Sequence, residues 1–307
     1  MSRFINLFLF VIISLIWGSS FILMKLGLYD QNSHEVLSAY QVAALRVFSA
    51  GITLLPFFIT KVSRLPSSTW AYLIGTGFLG LFFPAFLFCI AETKIDSGLA
   101  GILNALTPFF AIIVGYIVYK INISRIHILG LLIGFTGIIL LFAANNKISY
   151  ASLGYGGFIV LATILYGFNN NIVKYKLSGI PALTIATLSF VSLIIPSGMV
   201  LWFTGFFALP FHETVYLRSI LATCVLGMVG TALAWVLLYT LIKRSSVVFA
   251  SAVTFVIPGV ALFWGWIYGE TISLIQVLSL VVILTGVYLT TPMFQKHKEY
   301  FTLGSKD

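Results

Sequence analysis

Long apolar runs alternate with short polar breaks along the whole chain. Runs rich in Val, Ile, Leu and Phe lie near residues 5–25, 39–59, 70–90, 98–119, 125–144, 154–174, 181–203, 219–242, 247–268 and 272–292. Each is close to the ~20 residues that a helix needs to cross a bilayer core. Val, Ile and Phe are weak helix formers in water. In lipid, however, a spanning segment must satisfy its own backbone hydrogen bonds, which makes runs of this length helical. The alternating pattern of a membrane β-barrel is missing. The expected fold is therefore all-α and integral to a membrane, with ten transmembrane helices.

Composition supports the same class. Hydrophobic residues make up 60% of the 307-residue chain, charged residues 8%, and the mean hydropathy is +1.08. Soluble domains carry roughly 25% charged residues, so lipid must cover most of this surface. Ten spans leave no room for a separate soluble domain. Arg3 and the apolar run from Phe4 to Met24 resemble a signal peptide at first sight. No small-residue cleavage site follows and the segment has a counterpart later in the chain, so it reads as the first span. Cys89 and Cys224 both fall inside apolar runs and read as small buried residues rather than a disulfide or metal pair.

The charges orient the helices. Alternate loops carry Lys61/Arg64, Lys120/Arg125, Lys174/Lys176 and Lys243/Arg244, and none of these four contains an acid. The other loops hold Asp30, Glu35, Glu92, Asp96, Glu213 and Glu270, with Lys94, Lys147 and Arg218 as the only clear bases. The positive-inside rule places the basic set and both termini in the cytoplasm. The expected location is the cell (inner) membrane, multi-pass. The net charge of +9 is spread in ones and twos, which fits loops facing anionic headgroups and argues against a nucleic-acid partner.

The chain also repeats itself. At an offset of about 150 residues, Ala100, Pro108, Ala111 and Gly115 meet Ala250, Pro258, Ala261 and Gly265. Nearly the same offset pairs Trp17-Gly18 with Tyr166-Gly167, Lys25 with Lys174, Gly80 with Gly230, and Thr136-Gly137 with Thr285-Gly286. Aligned loops carry opposite charge, as Lys120 and Glu270 do. Five spans per half is odd, so the second half must be inverted. Two five-helix repeats, residues 1–146 and 147–307, are expected on this ground, and inverted repeats with a site at their interface are a transporter architecture.

Several of these residues carry a family likeness. Trp17-Gly18-Ser19-Ser20-Phe21 resembles the opening motif of the drug/metabolite transporter superfamily, EamA branch. Ala44-Leu45-Arg46-Val47-Phe48, the Leu106-Thr107-Pro108 and Val256-Ile257-Pro258 turns, and Gly269-Glu270 are similar to later motifs of the same group. The fourth span departs from the pattern, ending in Tyr119-Lys120 where many relatives have Gly-Glu. The likeness covers nearly the whole chain. It implies ten helices in two repeats, export or exchange of small metabolites, and a central cavity lined by helices one to four and six to nine, with five and ten outside.

Eight residues stand out as candidates for substrate binding: Trp17, Ser20, Arg46, Asn104, Thr107, Asn169, Asn170 and Thr254. Arg46 lies well inside the second span, where a charge costs ~2.5–3.5 kcal/mol on insertion scales. Two readings of it stand: an anion-binding or gating residue, or a structural Arg paired with Glu92 or Asp96. Asn104, Thr107, Pro108, Ala111 and Gly115 share one helical face, as do Ala250, Thr254, Pro258 and Ala261. These faces read as cavity walls or as small-residue helix packing. Pro108 and Pro258 each free a backbone carbonyl that must find another donor. Asn169, Asn170 and Asn171 point around most of a helix. With Ser19 and Ser20 they read as opposite gates, or as an interfacial run. Gly130 and Gly134 read as a packing step.

No phosphate-binding GxxxxGK[ST] occurs, the four histidines fall in or beside loops, and no acid sits at mid-span. No enzyme activity, cofactor or metal is expected. The expected function is secondary transport, as exporter or exchanger, of a small polar or amphipathic metabolite by alternating access. A non-transporting membrane scaffold or an intramembrane enzyme are the other classes. The expected partners are a small-molecule substrate and the lipid bilayer.

Overall fold

The computed structural model describes residues 2–58, 65–95, 97–143, 153–267 and 273–290. Lys61, Arg64, Asp96, Lys147, Gly269, Glu270 and His297 lie outside them, as does the expected boundary between the halves. Among the described residues the fold is all-helical, and each of the ten apolar stretches carries helix. Seven helices are long and apolar enough to cross a membrane: α1 (Arg3–Leu28), α2 (Ala39–Phe58), α3 (Ser67–Glu92), α4 (Leu99–Tyr119), α6 (Gly154–Lys176), α7 (Ala182–Phe203) and α8 (Thr214–Arg244). Three more apolar helices are shorter: α5 (Arg125–Leu141), α9 (Val247–Val260) and α10 (Leu274–Leu289). Large apolar side chains such as Tyr116, Ile117, Ile195, Trp202, Phe203 and Leu274 stand exposed on the outside. Patches of that kind mark contact with lipid rather than water.

The packing has a consistent plan. Helix α1 lies against α8 and α9, and α6 lies against α3 and α4. Helix α2 packs on α7 and α8, while α5 and α10 pack chiefly on each other. In the α5–α10 contact, a Cβ at Gly286 would run into the backbone of Gly134 and Gly130. The glycines thus let two backbones touch, and the sequence's packing step at Gly130 and Gly134 lies in this contact.

Two helices are interrupted by π-helical turns, α3 at Phe78–Phe82 and α8 at Met228–Leu233, and α6 ends in one at Ile172–Lys176. Helix α4 breaks after Asn104 and restarts at Thr107, so Pro108 falls in a first turn where no amide is needed. The carbonyl of Asn104, which Pro108 would otherwise orphan, accepts the Thr107 hydroxyl at 2.7 Å. Pro258 sits inside its helical segment, Val253–Ile267. The turn between α1 and α2 is closed by Asp30, which accepts the amides of Asn32 and His34 at 2.8 Å each. Those bonds, the one from His34 first, hold its carboxyl below the ordinary value.

Candidate functional site

Between α1, α2, α3, α4, α6, α8 and α9 lies an open cavity, whose empty space together with the solvent at its mouth is about 640 Å³. Trp17, Ser20, Arg46, Asn104, Thr107, Asn170 and Thr254 all line it. Asn169 does not. Its amide points at the α3–α8 side, 3.4 Å from the Tyr239 hydroxyl, and lies against Gly80. Helix α7 gives no lining residue among those described, although the family likeness placed it there.

Arg46 is held by α8. Its Nε donates to Thr231 Oγ1 at 2.7 Å, and Thr231 belongs to the π-helical turn of α8. The neighbouring Gly230 carbonyl in that turn accepts the Trp17 indole N–H at 3.0 Å. An irregular turn in α8 therefore anchors two lining side chains, a common use of π-bulges at functional sites. Of the two carboxylate partners expected for Arg46, Glu92 is paired with Lys25, 3.7 Å away, and Asp96 lies outside the described residues.

The small-residue faces of α4 and α9 divide between the two expected roles. Asn104 and Thr107 reach the cavity, whereas Gly115 packs against Asn171, and Ala111 offers its carbonyl to the same Asn171 amide at 2.8 Å. Ala250, Thr254 and Ile257 of α9 line the cavity. The three asparagines are buried among protein atoms. Each turns to a different helix: Asn169 to Tyr239 of α8, Asn170 to Ser251 of α9 at 3.1 Å, and Asn171 to Ala111 of α4. A run of adjacent amides thus ties α6 to three neighbours.

The sequence reading missed the aromatic wall. Trp235 lies 5.6 Å between ring centroids from both Trp17 and Tyr166, and Tyr166 stacks on Phe88 at 6.1 Å. Phe21, Met24, Leu238 and Ser251 complete the apolar and polar lining. Tyr166 could have been found as the repeat partner of Trp17. Trp235 gave no signal, because aromatic residues also face lipid.

Equivalent contacts recur at the repeat offset. Lys25 Nζ donates to the Glu92 carbonyl at 2.7 Å, and Lys174 Nζ to the Ile242 carbonyl at 2.9 Å. A Cβ at Gly230 would stand 2.6 Å from Ser20 Oγ, and one at Gly80 2.6 Å from the Asn169 amide. The space at Gly18 is filled by Val260, and that at Gly167 by the backbone of Phe110 and Ala111. Among the described residues no group of three or more His, Cys, Asp or Glu could hold a metal ion.

Comparison with known proteins places these features in context. A model of the EamA-like transporter family matches residues 4–143 and 155–291. "Uncharacterized transporter YoaV" of Bacillus subtilis is 24% identical, over 93% of this chain and 96% of its own. A protein of Salmonella typhimurium named "Probable amino-acid metabolite efflux pump" is 23% identical, over 92% of this chain and 93% of its own. One crystal structure shares the fold with a TM-score of 0.70 at 15% identity, over 96% of this chain and 98% of that one.

Proposed function

Because this chain belongs to the EamA-like transporter family and is a multi-pass membrane protein, we propose that it is a secondary transporter working by alternating access. It exports or exchanges a small polar or amphipathic metabolite across the cell's inner membrane. The observation that carries this reading is the cavity itself. Seven of the eight expected residues meet in one space, between helices from both parts of the sequence repeat.

Ten crossings in two inverted five-helix repeats, with both termini cytoplasmic, provide the machinery. The paired contacts support this. Lys25 and Lys174 each cap the end of a helix in their own half. Gly230 with Ser20, and Gly80 with Asn169, are close approaches at the same places of the repeat. The π-helical turns of α3 and α8 fall at matching positions as well. In this arrangement the Ser20–Gly230 contact can open while the Asn169–Gly80 contact closes. Ser20 and Asn169 mark the two gates.

Sided labelling tests this. Single cysteines are placed at positions 20 and 169 in a variant with Cys89 and Cys224 replaced. A membrane-impermeant thiol reagent should reach position 20 from outside and position 169 from inside. A compound that binds one state better must shift the two reactivities in opposite directions. Reactivity from one side only, at both positions, would contradict alternation.

A further inference from the structure

We infer that the transported molecule carries a single carboxylate on a flat apolar body, with Arg46 as the carboxylate's partner; this rests on the cavity being the transport site. The charge count comes first. Of the sixteen described residues that line the cavity, Arg46 alone is charged. Among the described residues Lys25 pairs with Glu92 and His34 lies against Asp30, and neither contact involves Arg46. Its one hydrogen bond goes to a neutral hydroxyl, that of Thr231. A half-buried guanidinium in a membrane protein is costly unless a counter-charge meets it.

Geometry says where that charge goes. Bonding Nε to Thr231 fixes one edge of the guanidinium and leaves its terminal N–H groups for the cavity. A carboxylate is the planar, two-oxygen acceptor that such a fork fits. Beside it stands the wall of Trp17, Trp235, Tyr166 and Phe88, joined ring to ring. These faces are locked by mutual contact and by the Trp17 bond to Gly230, so they present an ordered apolar surface. With no acid in the lining, an amine on the same molecule meets only ring faces and the neutral Asn, Ser and Thr groups. Recognition therefore depends on the carboxylate, and an amine is tolerated rather than required.

Matched probes test the point on the intact protein in detergent. Three acids (3-phenylpropionate, indole-3-propionate and 4-methylvalerate) are compared with their primary amides and the corresponding amines by thermal unfolding. At least one acid should stabilise, binding at least ~10-fold tighter than its amide and amine, the least that a charge-assisted hydrogen bond supplies. Arg46→Gln should erase that preference and Arg46→Lys should retain part of it. If Arg46→Gln fails to fold, the acid–amide comparison on the unaltered protein still decides. Amides or amines binding as well as acids, or no acid binding, would overturn the inference. Carriage of a neutral or cationic compound in vesicles would sink this inference alone. An acid that binds but is never carried would sink the transport reading instead.

Discussion

Lys25 Nζ lies 2.7 Å from the backbone carbonyl of Glu92 and 3.7 Å from its carboxylate, joining the end of α1 to the end of α3. The Glu92 side chain is 0% exposed and that of Lys25 37%. Position 242, where the second half makes the matching lysine contact, is an isoleucine. The cap is thus common to both halves, and the carboxylate is peculiar to one.

This predicts an asymmetry between two substitutions. Glu92→Gln keeps the backbone cap and removes a buried charge, so it should cost little. Lys25→Met removes the ammonium that stands 3.7 Å from the buried carboxylate. For a fully buried pair that costs ~3–5 kcal/mol, and less here because Lys25 is partly exposed. Unfolding in detergent should rank Lys25→Met well below Glu92→Gln, with the double variant between them. Equal losses would contradict the claim that Lys25 chiefly compensates a buried carboxylate.

Close approach at Gly230 and Gly80 should behave alike. Gly230→Ala forces a methyl against Ser20, and Gly80→Ala forces one against Asn169. Each should lower stability by ~1–3 kcal/mol, the usual cost of overpacking. Gly75→Ala, with nothing within 4 Å, should be near neutral. Ser20→Gly should recover much of the Gly230→Ala loss and none of the Gly80→Ala loss. Failure of that selective rescue would place the strain elsewhere.

Gly286→Ala separates stability from transport. The added methyl meets the backbone of α5, which cannot move aside as a side chain can. Folding yield and melting temperature should fall, while transport per folded molecule holds, because α5 and α10 lie off the cavity. A changed substrate affinity would show that the α5–α10 contact reaches the site.

The hydropathy pattern carried the helices and the polar residues of the site. Mid-membrane polar groups are costly, so Ser20, Arg46, Asn104, Thr107 and Asn170 were visible as residues needing a reason to be there. Their convergence was readable because the repeat put them on matching helices. Asn169 misled because a buried amide turns to its best partner, and Tyr239 with Gly80 provides that partner on the far side of α6. The π-helical turns of α3 and α8 left no composition signal, and with them went the Thr231 anchor of Arg46. Trp235 was hidden for a different reason, since its type alone cannot tell a cavity wall from a lipid face.

Topology is open to direct measurement. Reporter fusions at Lys61 and Asp30 should report opposite sides of the membrane, with Lys61 inside. The same side for both would remove the basis for inverted repeats.

Counterflow in proteoliposomes tests the central claim most directly. Vesicles are loaded with an unlabelled mixture of small carboxylic acids and amino acids, and each labelled tracer is offered outside in turn. At least one tracer should accumulate transiently and saturably above protein-free vesicles. That accumulation should fall ~10-fold or more in Arg46→Ala, whose melting temperature should stay near that of the unaltered protein. Accumulation no greater than in empty vesicles for every tracer, from protein that is folded and correctly inserted, would contradict a transporter of this kind.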